Sequence, residues 1–450
     1  RTGIVYDDVY LDYDTGPDAL ESRARLRAIL DELEAKRVFE RCLRIPVRPA
    51  TRAELERFHD SEYLDRLEAT PDLPAAAAAV GGMLEAVDAV LDGRVGNAVG
   101  LVRPPGHHAK RDRGMGFCHL GNVALAAHHA LAVHGLSRVL VVDNDVHHGN
   151  GTQQAFYADP RVLVFSVHRA DLFPGTGAAA AVGEGDGAGY NVNVPLPRES
   201  GNATYDAVLA KILAPIARAF DPELVLVSAG FDTYFLDDTG LMKVTSEGYV
   251  RMIWRLLELA EELCGGRLVV ALEGGYHPRG LGRSVRYVIE TMMGERRPLD
   301  LLLEVDERFG EALEEVRAHH GDRWPGIGAP AAPQHGGAVL WDHGPIEDED
   351  LSFDRTPADG GDAWYELSYR GVVACRAKVS AVGREATVKF ITTHGAMARQ
   401  GLARRLIDHL RGEFDRVTAQ GVRYRARSFW ERIGFVRVED SQDFCWSAGP

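Results

Sequence analysis

Cysteine is scarce and shows no pairing pattern: Cys42, Cys118, Cys264, Cys375 and Cys445 are odd in number and scattered over 450 residues. Neither a disulfide framework nor a CxxC zinc motif fits that spacing, which points to a reducing compartment. A basic start followed by an apolar stretch and a small-residue cleavage site is also lacking, so the cytoplasm is the expected location. No apolar run reads as long enough to span a bilayer, and no membrane partner is expected. Positive charge is short as well, with 51 Lys and Arg against 66 Asp and Glu and a formal net charge of −15. That balance opposes phosphate-backbone binding, so nucleic acid is not an expected partner. It suits a cationic one, such as a lysine-bearing peptide or a polyamine. Internal repeats are missing, and the alanine run Ala75–Ala79 is the only low-complexity tract. What remains, 45% hydrophobic and 26% charged, is an ordinary globular composition with room for two or three domains.

Up to about residue 325, short apolar runs alternate with helical patterns. The runs Val139–Val142, Val162–Phe165, Leu224–Ser228 and Leu268–Leu272 are rich in β-branched residues and bounded by Gly, Asp or Pro. Strands buried on both faces of a parallel sheet read this way. Between them lie amphipathic stretches at Glu21–Lys36, Ala75–Asp92, Tyr205–Phe220 and Ser246–Glu262. The alternation predicts a doubly wound α/β domain over 1–325, with ligands outside the carboxyl ends of the strands. Residues 326–360, with Pro325-Gly-Ile-Gly-Ala-Pro-Ala-Ala-Pro333 and the acidic run Glu347-Asp-Glu-Asp350, read as an exposed linker. Residues 361–450 read as a small α+β domain: three strands, a helix, and a short strand around Gly434–Val438.

The polar clusters follow the predicted strands. Asp143-Asn-Asp-Val-His-His-Gly-Asn-Gly151 comes directly after one of them. In an extended segment residues two apart point the same way, so Asp145 and His147 can offer an oxygen and a nitrogen to one metal. A catalytic zinc site needs a third protein ligand and an open position, and Asp232, in Ser228-Ala-Gly-Phe-Asp232, is the candidate. Either segment alone could equally cap the next helix. Arg103-Pro-Pro-Gly-His-His-Ala109 sets two histidines side by side behind two prolines. Glu273-Gly-Gly-Tyr276 places a tyrosine where glycines allow close backbone approach.

Together these segments closely resemble the histone deacetylase family, within the arginase–deacetylase superfamily. Gly116-Phe-Cys118, Phe173-Pro-Gly-Thr-Gly177, His59-Asp-Ser-Glu-Tyr63 and Asn191-Val-Asn-Val-Pro195 extend the match over about 300 residues. The resemblance implies a mainly parallel β-sheet flanked by helices, the arginase–deacetylase fold. It makes Asp145, His147 and Asp232 zinc ligands. His107 and His108 become the active-site pair, oriented by Asp143 and Asn150 respectively, and Tyr276 the donor to the substrate carbonyl. Phe117 and Phe173 match the walls of an acyl-lysine channel, Gly116 and Gly275 its backbone contacts, and Leu172 and Thr239 its rim. Arg25 matches an arginine of an internal acetate channel. Potassium is implied near the zinc, at Asp143, Asp145, the His147 carbonyl, Ser166 and Val167, and again at Phe156, Asp159, Val162 and Tyr190.

The expected reaction is hydrolysis of ε-acyl-lysine in peptides or proteins, releasing a carboxylic acid. An acetylpolyamine or another small amide is the alternative substrate, and a non-catalytic acyl-lysine binder is disfavoured by the complete set with Tyr276. Three departures stand out. Ala19-Leu-Glu21 replaces a usual His-Pro-Glu, Asn144 a bulky residue, and His119-Leu-Gly121 an aromatic or apolar pair followed by Asn. Polyamine-selective relatives carry a rim glutamate where Thr239 stands, although Asp237 and Asp238 are near in sequence. Leu172 beside Thr239 predicts a wide mouth that admits acyl chains longer than acetyl. The C-terminal stretch resembles a shortened Gcn5-related acetyltransferase, through Ala398-Arg-Gln-Gly-Leu-Ala-Arg404 and Phe429-Trp-Glu-Arg-Ile-Gly-Phe435. That likeness implies an acetyl-CoA site at Arg399, Gln400, Gly401, Leu402 and Ala403. Trp430 stands where many members have a tyrosine acid, which favours a degenerate or regulatory module. Self-association as a homo-oligomer stays open, and the scarcity of lysine beside arginine suggests a GC-rich, bacterial coding bias.

Overall fold

The structure, a computed structural model, describes residues 1–16, 19–298, 308–328, 351–358, 361–369, 372–393, 401–420, 422, 426–439 and 441–448. They fall into two compact units, the first holding the described residues up to 328 and the second those from 351.

The first unit is built on eight strands: β1 (Thr2–Val5), β2 (Leu43–Ile45), β3 (Asn97–Gly100), β4 (Val139–Asp143), β5 (Val162–Arg169), β6 (Asn191–Leu196), β7 (Leu224–Ala229) and β8 (Leu268–Leu272). Their spatial order is β2-β1-β3-β8-β7-β4-β5-β6, and every neighbouring pair is parallel. The four apolar runs read from the sequence lie within β4, β5, β7 and β8. Every residue of β4, β7 and β8 is buried, as expected for strands covered by helices on both faces.

Helices form where amphipathic stretches were expected, at Arg23–Ala35, Leu73–Leu91, Asn202–Phe220 and Ser246–Cys264. The third contains a π turn at Leu209–Leu213. Pro215 follows it and brings no N–H to the Lys211 carbonyl four residues back, and the Gly328 N–H fills that acceptor at 2.7 Å. By length and composition Leu73–Leu91 could cross a bilayer, contrary to the expectation that no run is long enough. Here 78% of its apolar window is buried inside the unit, as in a core helix.

The linker expected over 326–360 fails at both ends. Ile327 is 3% exposed and the Trp324 indole donates to the Gly189 carbonyl at 2.9 Å, so the first unit continues through Gly328. At the other end β9 (Leu351–Pro357) pairs antiparallel with β10 (Ala363–Tyr369). The second unit continues with β11 (Val372–Val382), β12 (Glu385–Thr393), a helix (Leu402–Glu413), β13 (Arg416–Ala419), a short helix (Arg427–Arg432), β14 (Val436–Arg437) and β15 (Phe444–Ser447). Its sheet runs β14-β15-β13-β12-β11-β10-β9, antiparallel except for β12 and β13. Leu402, Leu406, Ile407 and Leu410 form the buried face of the longer helix. Gly401 caps its start at φ +75°, and Trp430 is buried against Phe435. Of the residues expected to hold acetyl-CoA, Arg399 and Gln400 lie outside the described set.

Candidate active site

Four adjacent strands deliver the site. In spatial order β3, β8, β7 and β4, the segments beyond their carboxyl ends carry His107 and His108, then Tyr276, then Asp232, then Asp145 and His147. The sheet thus converts a sequence span of 170 positions into one cluster where parallel sheets place ligands.

Asp145 Oδ1 lies 3.0 Å from His147 Nδ1, which lies 3.1 Å from Asp232 Oδ2. Backbone amides hold the other carboxylate oxygens: Gly274 N–H donates to Asp145 Oδ2 at 2.8 Å, and Val146 N–H to Asp232 Oδ1 at 2.9 Å. Apart from that ion-pair contact with His147, Asp232 Oδ2 is buried without a hydrogen bond. Burial, and next the charge on Asp145, pushes the Asp232 carboxyl up to about 7. Two buried carboxylates facing each other across one imidazole call for a cation. The donor set, whose atoms lie within 4.8 Å of one another, fits zinc with a position left open.

Two other donor sets converge among the described residues. At Asp88, Arg57 donates to His129 Nδ1 (3.0 Å), so the ring proton sits on Nε2. Asp88 Oδ1 then receives His129 Nε2 and His134 Nε2, both at 2.7 Å. That is a hydrogen-bond knot between two helices, with no nitrogen lone pair facing the carboxylate. The second set, His107, Cys118 and Glu273, lies behind the site, and its His107 Nδ1 is occupied by Asp143.

The paired imidazoles differ in their partners. His107 Nδ1 donates to Asp143 Oδ2 at 2.9 Å, and His108 Nδ1 to Asn150 Oδ1 at 2.8 Å. The rings are 3.9 Å apart, centroid to centroid. Burial opposes charge on His107, but Asp143, Asp145 and Glu273 outweigh it and hold the ring well above the usual imidazole range. Burial and then the His107 charge push His108 well below that range. His108 is therefore neutral, with its Nε2 lone pair unprotonated. Burial raises the Tyr276 hydroxyl well above the usual phenol range, against the opposing effect of Arg25 lying 5.1 Å over its ring. It stays a donor.

A pocket of about 50 Å³ opens onto these groups, lined by His107, His108, His147, Tyr276, Phe117 and Phe173 among others. Phe173 stands edge-on to His108 at 5.1 Å, and both phenylalanines are partly exposed at the mouth. Gly116 also lines the pocket, at φ +56°, and a Cβ there would meet His108 Cδ2 at 2.5 Å and Phe173 Cε1 at 3.0 Å. Gly116→Ala is therefore expected to narrow the channel and lower kcat/KM for an acyl-lysine peptide by at least about tenfold, given the sensitivity of such sites to small misplacements. Steady-state kinetics beside a thermal-unfolding curve checks this.

Other expected residues sit differently. Gly275 does not line the pocket, whereas Gly274 does. Leu172 and Thr239, expected at the rim, are half-buried and line no part of it. Leu172 packs on the main core, and Thr239 turns its N–H and hydroxyl onto Asp237. Asp237, read as an acid near the rim, is buried, and only Asp238 is exposed. Arg25 lies beneath the tyrosine loop and donates to the carbonyls of Gly275 (2.6 Å) and Glu273 (2.5 Å) and to Glu21 (2.6 Å).

Residues expected around potassium are neighbours. Asp143 is in register with Ser166 between β4 and β5, and Asp145 and Val167 are buried nearby in sequence. Phe156, Asp159 and Val162 share one turn, Asp159 N–H donating to Phe156 O (3.0 Å) and Val162 N–H to Asp159 O (3.3 Å). The Tyr190 carbonyl accepts from Val164 N–H.

Two groups escaped the sequence reading. The Glu273 carboxylate takes the N–H groups of Gly106 (2.7 Å) and His107 (3.2 Å) and the Ser228 hydroxyl (3.1 Å), fixing the histidine loop. Burial, against the charge of His107, pushes it up to about 7. Glu21 joins Arg25 and Arg103 in a buried ion cluster. An acid closing an apolar strand was the available signal for Glu273. For Glu21 the signal was its retention in Ala19-Leu-Glu21, where the resemblance has His-Pro-Glu.

The sequence profile of the histone deacetylase domain matches residues 19–292. The chain belongs to the histone deacetylase family. The chain is 39% identical over 337 residues to human polyamine deacetylase HDAC10, covering 68% of its own length and 50% of that protein. It is 39% identical over 355 residues to a probable deacetylase of Archaeoglobus fulgidus, covering 72% and 98% respectively. A crystal structure of the HDA15 HD domain superposes with a TM-score of 0.67 at 37% identity, covering 72% of this chain and 96% of that one. The chain spans about half the length of its human relative. The family is zinc-dependent, and the Asp145–His147–Asp232 cluster is where this chain's residues fit the metal.

Proposed function

We propose that the deacetylase removes acetyl groups from ε-acyl-lysine in peptides or proteins. The observation that carries this is the narrow pocket between Phe117 and Phe173, which ends at Tyr276, His108 and the converging ligand set. An extended alkyl chain fits between aromatic walls, and its amide then meets the polar floor.

Asp145, His147 and Asp232 would hold zinc, which would supply Lewis acidity toward the amide carbonyl and water. The chain's own groups do the rest. His108, neutral and with a free Nε2, takes a proton from water and delivers it to the leaving amine. His107, charged and paired with Asp143, stabilises developing negative charge. Tyr276 donates its hydroxyl to the carbonyl oxygen as that charge grows.

Thr239 carries no carboxylate and Asp237, which it bonds, is buried, so neither offers an exposed acid to a substrate ammonium. This favours peptides over polyamines. The second reading, an acetylpolyamine, draws on the exposed Asp238 beside Thr239 and on the human relative's name. A panel of acetyl-, butyryl- and longer acyl-lysine peptides beside N-acetylated polyamines separates the two. Higher kcat/KM on peptides is expected, and preference for polyamines would overturn the peptide reading.

Three lesser proposals accompany this. Potassium binds at the Asp143–Ser166 and Phe156–Val162 positions named above. The C-terminal unit is acetyltransferase-like and degenerate, which its single parallel pair β12–β13 with an intervening helix supports, as does the buried Trp430. Acetyl-CoA there would rest on the N–H groups at the helix start near Gly401–Ala403. Five unpaired thiols support a reducing compartment.

A further inference from the structure

Asp237 is a buried carboxylate, 3% exposed, that makes no ion pair among the described residues, although the Arg25 charge acts on it through space. Its Oδ2 accepts the Tyr276 N–H at 2.6 Å, and its Oδ1 accepts the Thr239 N–H at 3.0 Å together with the Thr239 hydroxyl. Charged acceptors of this kind make the stronger backbone hydrogen bonds.

The tyrosine loop needs such an anchor. Gly274 and Gly275 precede Tyr276 and bring no side chain to pack, and Gly275 sits at φ +124°, where the backbone has little intrinsic preference to hold it. External contacts therefore set its course. Gly274 N–H is tied to Asp145, Gly274 O to the Phe231 N–H, and the Glu273 and Gly275 carbonyls to Arg25. The bond from Asp237 is the one that acts on the peptide of Tyr276 itself. It comes from the loop that begins at Asp232, so one short segment carries both a metal-binding carboxylate and the clamp on the tyrosine.

From this juxtaposition we infer that Asp237 is a positioning residue for Tyr276, holding its hydroxyl over the reacting carbonyl and tying that placement to Thr239. The inference rests on the deacylase reading above. Replacing the carboxylate with an isosteric amide removes an acceptor, because the amide nitrogen cannot receive an N–H. One of the two backbone donors is then left unpaired, and the tyrosine loop loosens.

The test is a double-mutant cycle with Asp237→Asn and Tyr276→Phe on the full chain loaded with zinc, assayed on an acetyl-lysine peptide. Asp237→Asn alone is expected to lower kcat about 10- to 100-fold, the scale of a small misplacement of a catalytic group. KM should stay within about threefold of wild type, because the tyrosine bond strengthens in the transition state. In the Tyr276→Phe background, itself down about 10²–10³ in rate, the Asp237 substitution should cost almost nothing more. Amide hydrogen exchange gives a readout free of catalysis, with faster exchange at the Tyr276 N–H in Asp237→Asn at unchanged zinc content. Should Asp237→Asn fail to fold, Thr239→Ala removes only the hydroxyl contact. It should slow kcat about two- to tenfold, again only when Tyr276 is present. Independent, multiplying losses or an unchanged Tyr276 exchange rate would overturn the inference. A wild-type chain inactive on every acyl substrate would instead overturn the deacylase reading, while the exchange experiment would still report on the Asp237 bond.

Discussion

Replacing Asp232 with alanine is expected to abolish both metal binding and turnover. Its carboxylate is fully buried beyond β7 and closes a donor set to which β4 contributes only Asp145 and His147. Two ligands on one turn do not make a closed site. Losing even an outer-shell partner typically costs 10–100-fold in metal affinity, and losing a ligand costs more. Zinc after dialysis should fall from about one per chain to below about one-tenth, with deacylase activity at background. Without metal the variant loses the acceptor for the Val146 N–H and the His147 ion pair, and is relieved of the repulsion from Asp145. Thermal unfolding in chelator should therefore show a folded variant, within about 3 kcal/mol of chelated wild type. A variant that unfolds in chelator while wild type does not would show that its loss of zinc follows from loss of the fold.

His108→Ala tests the proton chemistry separately. Its Nδ1 is bound to Asn150, its Nε2 is free, and its ring lies 5.9 Å from that of His147, outside the ligand set. Zinc content should remain near one per chain while kcat drops by about 10²–10⁴, the usual range for removing a positioned acid–base group. Inductively coupled plasma analysis alongside kcat distinguishes the two variants: Asp232→Ala loses metal and rate together, and His108→Ala loses rate alone. Turnover within tenfold of wild type would remove His108 from the role assigned to it.

Much of the site was legible because the residues of the donor set and Tyr276 follow apolar strands in sequence. The runs at β4, β7 and β8 are continuous and buried on both faces, so Asp145, His147, Asp232 and Tyr276 could be placed at strand ends before any coordinates. Glu273 and Asp237 were not recognised for what they do, because each acts on backbone N–H groups that only the tertiary fold supplies. Gly106 is 167 positions from Glu273, and Tyr276 is 39 from Asp237. A carboxylate beside a rim position reads as solvated until its burial is seen. Thr239 and Leu172 were misplaced for the same reason, since the local pattern did not reveal that one bonds Asp237 and the other packs on the core.

The second unit was read less well. Leu351-Ser-Phe-Asp-Arg-Thr-Pro357 is mostly exposed and ends in proline, a composition suited equally to a linker and to the sheet-edge strand it forms. β13 and β15 are four residues each, too short for periodicity to register. At the other boundary, Pro and Gly around Ile327 signalled a loop, whereas burial of Trp324 and Ile327 ties that loop to the first unit.

The most direct measurement is acetate release from an acetyl-lysine peptide by metal-stripped protein titrated with zinc. The account predicts activity that rises linearly and saturates at about one zinc per chain, with none from Asp232→Ala at any zinc level. Acetate release that ignores zinc, or that survives in Asp232→Ala, would contradict it.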